Sequence, residues 1–128
     1  MSAAAFRLVT PVGELININA ERSMNRFTRA RLVKPIREAA RSLGAGHPMI
    51  DGPVNIEARF QWADARVRDT SNWLPTVKAM VDGLVDAGVL ARDDDRTVRH
   101  TGIGVDLPPQ PGLKGYTQIV LTLTKAVR

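Results

Sequence analysis

The chain has 128 residues, which is enough for one domain with its own core and too few for two. Lys and Arg total 18 against 13 acidic residues; the net charge of +5 and the pI of about 10.4 favour a polyanionic partner, nucleic acid before an anionic membrane. The lack of cysteine excludes disulfides and thiolate chemistry, and no apolar run reaches the ~20 residues of a membrane span. We therefore expect a soluble single domain, residues 1–128, in the cytoplasm.

The first third of the chain predicts strands followed by a long basic helix. Residues 5–18 hold two short β-like runs separated by a Pro-x-Gly turn signal. Apolar residues then recur at helical spacing over about 23–43, with Ser23 as a possible N-cap and Gly44 as the stop signal. Pro35 lacks a backbone donor, so we expect a kink or a break there. The basic side chains of this segment are either a solvated face or a DNA contact, and their number favours DNA: Arg22, Arg26, Arg29, Arg31, Lys34, Arg37 and Arg41.

A strand and a second helix are predicted in the middle of the chain. Residues 54–62 alternate between apolar and polar side chains, which is typical of a half-buried strand. A basic loop follows, and a helix is predicted from about 72 to 87. Asn72 is its expected N-cap, Pro75 lies in its first turn, where a missing N–H is tolerated, and Gly88 ends it.

The last part of the chain predicts two more strands, at 97–105 and 116–124, joined by a proline-rich loop at 107–115. The resulting order is β(β)-α-β-α-β-β. Because helices fall between strands, we expect an α+β fold in which a mixed sheet packs against two main helices.

Acidic residues lie at both ends of the second helix. Asp69 precedes the helix, and Asp93, Asp94 and Asp95 follow it. A helix of roughly 15 residues spans about 22 Å, so its two ends cannot form one site without further structure. A strand that returns beside residues 54–62 would bring the two groups of acids together. The sequence permits this convergence and does not require it.

The segment from residue 67 to 98 resembles the signature region of RusA-type Holliday-junction resolvases. In that family an Arg-Asp-x-Asp-Asn stretch opens a lysine-bearing helix that ends in Ala-Gly, and an Asp-Asp-x-x-Val stretch follows. The matching residues are Arg68, Asp69 and Asn72 in the opening, Lys78, Asp82, Gly83, Leu84, Ala87 and Gly88 in the helix, and Asp94, Asp95 and Val98 in the close. The resemblance covers about a quarter of the chain and implies a RusA-like fold.

Two features depart from the family pattern. The family has a second acid two positions after the first, and this chain has Ser71 there. The spacing from Asn72 to Lys78 is longer than the shortest family form by about one helical turn. The register of the acidic triplet is also open, since Asp-x-x-Val spacing selects Asp95 whereas the distance from Gly88 selects Asp93; Asp94 and Asp95 are favoured, with Asp93 as a substitute.

The resemblance implies an endonuclease that resolves four-way DNA junctions as a homodimer, found in a bacterial cytoplasm and common in phages. It implies Mg²⁺ or Mn²⁺ held by Asp69, Asp94 and Asp95, with Asp93 in reserve, and oxygen ligands suit both ions. Lys78 would face the scissile phosphate. The expected DNA contacts are Arg66, Arg68, Asn72, Arg26, Arg29, Arg31 and Lys34.

Simpler interpretations of the same residues remain open. The acidic triplet also fits a solvated turn. Asp69 also fits the start of a helix, where the helix dipole favours a negative charge. Lys78 could simply form an i,i+4 ion pair with Asp82. The two tryptophans, Trp62 and Trp73, are interpreted as core or dimer-face anchors before base-stacking platforms. Two rival functions follow: a junction-binding protein of the same fold that cuts weakly or not at all, because Ser71 replaces an acid, and a basic interaction module for RNA or protein.

Overall fold

The structure is a computed structural model that describes residues 2–105 and 108–127. Its strands are β1 (Ser2–Pro11), β2 (Val54–Gln61), β3 (Val98–Gly104) and β4 (Tyr116–Lys125), and its helices are α1 (Ile18–Glu21), α2 (Arg26–Gly44) and α3 (Leu74–Asp86). The described elements confirm the predicted α+β class, with a mixed sheet against two main helices. Within this part of the chain, no helix has both the length and the apolar character needed to cross a membrane.

The sheet order explains how the two ends of α3 connect. The four strands lie in the order β1-β4-β2-β3, with β2 and β3 parallel and the other neighbours antiparallel. Parallel neighbours need a crossover connection, and α3 provides it between β2 and β3. The stretch after α3 therefore returns to lie beside β2, as the sequence permitted.

The core lies between one face of the sheet and the two long helices. Alternate residues of β2 are buried, which confirms the half-buried strand predicted for 54–62. Opposite them, α3 buries an apolar face and α2 contributes a narrower one. The largest fully buried side chains include Phe60, Ile36, Met80, Leu84 and Leu121.

The prediction of two short strands in residues 5–18 is wrong. A single strand, β1, runs to Pro11, because it pairs with β4 along that length and as an edge strand tolerates a proline at its end. A 3₁₀ turn at Val12–Glu14 follows, and then comes α1, which the sequence analysis missed. The side chain of Asn17 caps α1 by accepting a hydrogen bond from the Asn19 amide at 2.8 Å.

The predicted start of α2 is also corrected. The Asn25 side chain, and not Ser23, caps this helix by accepting from the Thr28 amide at 2.9 Å. The Ser23 hydroxyl instead donates to the Ala20 carbonyl at the end of α1. Pro35 neither breaks nor divides α2, which runs unbroken through it, because packing against α3 outweighs one missing hydrogen bond.

The predicted start of the second helix shifts in the same way. A 3₁₀ turn at Thr70–Trp73 precedes α3, and its cap is Asp69 rather than Asn72. Pro75 falls at one of the first two positions of α3, where its missing N–H has no intrahelical partner. Gly88 adopts a φ of +81°, which a left-handed helix end requires, and confirms the predicted stop.

Candidate functional site

The carboxylate of Asp69 is used by its own turn. Asp69 Oδ1 accepts hydrogen bonds from the Ser71 amide at 3.1 Å and from the Ser71 hydroxyl at 2.8 Å. The Asp69 carbonyl accepts from the Asn72 amide at 3.2 Å. Asp69 is exposed, so the arrangement presents a capped but accessible carboxylate at the start of α3.

The three aspartates after α3 form the turn that leads into β3. The Asp94 carbonyl accepts from the Thr97 and Val98 amides at 3.1 and 2.8 Å, and its side chain accepts from the Arg96 amide. Asp94 also lies 3.7 Å from the guanidinium of Arg92. Asp95 is exposed in the same turn. These hydrogen bonds fit a solvated turn, which is the simpler interpretation of the triplet, and they leave Asp94 exposed.

Lys78, Asp82 and Asp93 form a cluster that joins the helix to this turn, and it is called here the Lys78 cluster. The Lys78 ammonium lies 2.8 Å from Asp93 Oδ2, 15 residues away in sequence, and 3.6 Å from Asp82 Oδ1. The predicted i,i+4 pair with Asp82 is therefore present, but Asp93 is the closer partner. The Lys78 side chain is still 62% exposed, so a phosphate can reach it.

The cluster separates the proton affinities of its two carboxyls. The hydrogen bond from Lys78, followed by one from Asp82, lowers the pKa of Asp93. Burial raises the pKa of Asp82, Lys78 opposes that rise, and the neighbouring Asp93 adds to it. The hydrogen bond to Asp93 raises the pKa of Lys78. Lys78 is therefore a firmly charged ammonium at neutral pH.

The structure does not assemble the implied metal ligands. Within residues 2–105 and 108–127, no three His, Asp or Glu side chains lie close enough to hold a metal ion together. Asp69 lies in the turn before α3, Asp94 and Asp95 lie in the turn after it, and Asp93 is paired with Lys78. As arranged, these residues do not fit a bound ion.

The two loop arginines line a cleft beside the sheet. Arg68 lies 2.9 Å and Arg66 3.3 Å from the carboxylate of Asp64, which the sequence analysis did not single out. Hydrogen bonds from the Arg66 amide and then from Arg68 lower the pKa of Asp64. The Arg68 guanidinium also stacks over the ring of Trp62 at 4.1 Å, and the cleft these groups line measures about 300 Å³.

The two tryptophans belong to the core side of this cleft. Trp62 is 3% exposed and stacks on Phe60, while Trp73 is half-buried and lies 5.5 Å from Trp62. Neither indole N–H has a partner among the described residues. This burial makes both tryptophans anchors for Arg68 and α3, and leaves no free ring face on Trp62 for a base.

The basic residues of α2 divide into structural and exposed groups. Arg37 makes a bidentate pair with Asp86 of α3 at 2.6 and 2.8 Å, which raises the pKa of Arg37 and lowers that of Asp86. Arg29 lies 3.9 Å from Glu21, at the edge of ion-pair distance. Arg31 and Lys34 are exposed. Arg37 therefore serves helix packing, and the others remain available to a polyanion.

Comparison with known proteins gives no match, either to a protein-family model or to a curated sequence.

Proposed function

We propose that this chain is a structure-specific endodeoxyribonuclease that resolves four-way DNA junctions, as its resemblance to RusA-type resolvases implies. The observation that carries the proposal is the 2.8 Å contact between Lys78 and Asp93. This contact joins the helix and the acidic turn, the two halves of the motif, into one exposed cluster. The chain is basic, and Arg29 lines the same surface cleft as Lys78 and Asp82, which suits a phosphate backbone.

Each residue of the proposed site has a role that its geometry permits. The Lys78 ammonium is a compact charge with three donors, and it can exchange one carboxylate partner for a phosphate oxygen. Asp82 would then retain Lys78 at the start of α3. The other DNA contacts in the proposal are Arg66, Arg68, Asn72, Arg26, Arg29, Arg31 and Lys34.

Mg²⁺ or Mn²⁺ is the cofactor in this proposal, with Asp69, Asp94, Asp95 and Asp93 as its oxygen ligands. Held by these carboxylates, such an ion would supply a nucleophilic water and would stabilise the leaving oxygen. Cleavage depends on these carboxylates coming together around an ion, which the described geometry does not provide.

The proposed assembly is a symmetric homodimer in a bacterial host cytoplasm, encoded by a phage or by the host. A four-way junction has near two-fold symmetry, and a two-fold dimer presents two equal sites to opposed strands. The support for this part is the symmetry of the substrate.

The test is cleavage of a synthetic four-way junction with Mg²⁺ or Mn²⁺. We expect the wild type to cut, and Asp69→Asn, Asp94→Asn, Asp95→Asn and Lys78→Met to lose most of the rate while they still bind the junction. Asp86→Asn is the matched control, because it makes the same chemical change at the other end of α3, where the carboxylate pairs with Arg37. Cutting by all four site variants at the wild-type rate would disprove the proposed site.

A junction-binding protein that does not cut is the second candidate. It is favoured by Ser71, which replaces a family acid and donates its hydroxyl to Asp69, and by the lack of a metal-holding group among the described residues. Tight junction binding without cutting under either ion would establish it. Equal affinity for junctions and linear duplex would instead favour a general basic module for RNA or protein.

A further inference from the structure

Phe27 is a large aromatic side chain that faces solvent. The sequence pattern placed it among the apolar residues of the first helix, yet its side chain is 68% exposed at the second residue of α2. It precedes the buried Ile36 by nine residues, which is about two and a half helical turns and so the opposite side of the helix. The core therefore cannot account for Phe27.

Basic side chains lie on the same side of α2 as this exposed ring. The guanidinium carbon of Arg26 lies 5.0 Å from the ring centroid, within the distance of a cation–π contact. Arg31 and Lys34 follow Phe27 by about one and two turns and share its solvent-facing side. Residues 22–37 contain six basic side chains and no acidic one. We call Arg26, Phe27, Arg31 and Lys34 the Phe27 platform.

We propose that the Phe27 platform binds an unpaired DNA base, which stacks on the phenyl ring while the cations contact the phosphates on either side. Every base has a π-face, and a positively charged surface with an aromatic side chain is how proteins hold single strands. Duplex bases are already stacked on each other, whereas strands at the branch point of a junction can offer an unpaired base. The inference rests on the DNA-binding part of the proposed function and not on cleavage.

An exposed aromatic ring could also contact a second copy of this chain. The positive charge of the Phe27 platform favours a DNA strand over that partner. Two copies that met through Phe27 would place like charges against each other, which opposes association. A nucleic-acid strand supplies one negative charge per nucleotide and releases counterions when the cations bind it. A single DNA strand can therefore stack on the Phe27 ring and neutralise the basic side chains beside it.

The experiment measures binding of the full chain to a short oligothymidylate that carries one 2-aminopurine, with a chelator present to prevent cleavage. Stacking on Phe27 is expected to quench the 2-aminopurine fluorescence. Phe27→Leu keeps an apolar side chain but removes the ring, and we expect the affinity to fall roughly 5- to 150-fold, the equivalent of ~1–3 kcal/mol for one stacked base. Phe27→Trp should restore both the affinity and the quenching.

The controls separate stacking from general charge and from folding. Tyr116→Leu removes another exposed ring, on β4, and should bind as the wild type does. Phe27→Leu should leave affinity for fully paired duplex unchanged, whereas Arg31→Ala with Lys34→Ala should weaken both ligands and reduce the salt dependence.

Unchanged single-strand affinity in Phe27→Leu would overturn the inference, as would an equal loss for duplex or a change of oligomeric state in sedimentation. If the wild type stacks the base on Phe27 but does not cleave junctions, the proposed nuclease activity alone is refuted. If the wild type cleaves junctions but does not stack the base on Phe27, the proposed role of the Phe27 platform alone is refuted.

Discussion

The hydroxyl of Ser71 lies where the resemblance implies a second carboxylate, and it donates to Asp69 over 2.8 Å. A carboxylate at that position could not donate, and it would repel Asp69. Two such charges ~4 Å apart repel by ~4 kcal/mol at an effective dielectric of 20. Serine thus stabilises the turn in the absence of a cation.

Replacing Ser71 with Asp should reverse this balance. Without divalent ions we expect Ser71→Asp to unfold at a lower temperature than the wild type, and with Mg²⁺ or Mn²⁺ its midpoint should rise, because a cation relieves the repulsion. Junction cleavage should increase with ion binding. The measurement is thermal unfolding across an ion titration. Ser71→Asn has similar size without the charge, and an equal response in both variants would contradict the prediction.

Lys78 acts to lower the pKa values of both of its acidic neighbours, Asp93 and Asp82. Its hydrogen bond is the largest cause that lowers the pKa of Asp93 from its ordinary value of 3.8, and its charge opposes the rise at Asp82. Lys78→Met keeps the length of the side chain and removes the charge. We therefore expect the pKa values of both Asp93 and Asp82 to rise, measured by NMR titration of the carboxyl carbons. Lys34→Met makes the same change on the exposed face of α2 and should leave the pKa values of Asp93 and Asp82 unchanged.

The packing of α2 against α3 depends on one small residue. A Cβ at Gly83 would come within 2.7 Å of the Ala40 Cβ and 2.9 Å of the Arg41 backbone nitrogen, and its surroundings leave no room to move. The two helices therefore pack with their backbones unusually close. This closeness also lets the Nε and Nη2 groups of Arg37 reach both carboxylate oxygens of Asp86.

Gly83→Ala should destabilise the fold by about 1–3 kcal/mol, although alanine favours helices, because the new methyl group forces α2 and α3 apart. The measurement is the free energy of unfolding in urea. Gly13→Ala is the control, since a Cβ at Gly13 would meet nothing within 4 Å. Equal stability of Gly83→Ala and the wild type would show that the helices can separate freely.

Pro35 lies in the interior of α2, where it cannot donate to the carbonyl of Arg31. The helix remains continuous because packing against α3 and β1 supports it. Pro35→Ala should supply the missing hydrogen bond at an exposed position and stabilise the protein by about 1–3 kcal/mol. Urea unfolding measures this gain, and a loss of stability would contradict it.

The acid stability of the whole fold follows from its ion pairs. The Arg37 hydrogen bond lowers the pKa of Asp86 below its ordinary value of 3.8, so this pair stabilises the folded state above that pH. Its contribution disappears as the pH falls through the lowered pKa. Asp93 acts in the same direction, whereas the raised pKa of Asp82 has the opposite sign and favours the folded state as that carboxyl protonates.

Asp86→Asn should therefore lower the free energy of unfolding by about 0.5–1 kcal/mol near neutral pH, the range for a pair near the surface. The difference from the wild type should vanish at low pH, where Asp86 is protonated in both states. Urea unfolding over a pH series measures it. A constant difference between Asp86→Asn and the wild type across the pH series would contradict the assignment.

Local pattern was sufficient to predict most elements. The alternation of 54–62 predicted β2, the residues at 97–105 and 116–124 predicted β3 and β4, and Gly88 correctly ended α3. These signals are the spacing of apolar side chains and the positive φ that glycine allows. Both are local, because they depend only on residues that are close together in the sequence. Helix starts were placed wrongly because Ser23, Asn25, Asp69 and Asn72 are all good caps, and the surrounding fold selects among them.

Contacts between distant parts of the chain required the three-dimensional arrangement. The recurrence of apolar residues over 23–43 could not show that Phe27 faces solvent, because it does not reveal where the partner surface of α2 ends. It also could not show that β4 enters between β1 and β2, or that Lys78 meets Asp93 while Asp69 stays in its own turn. Such pairings depend on which packing buries the most apolar area in total, and that sum belongs to the folded chain rather than to any segment of it.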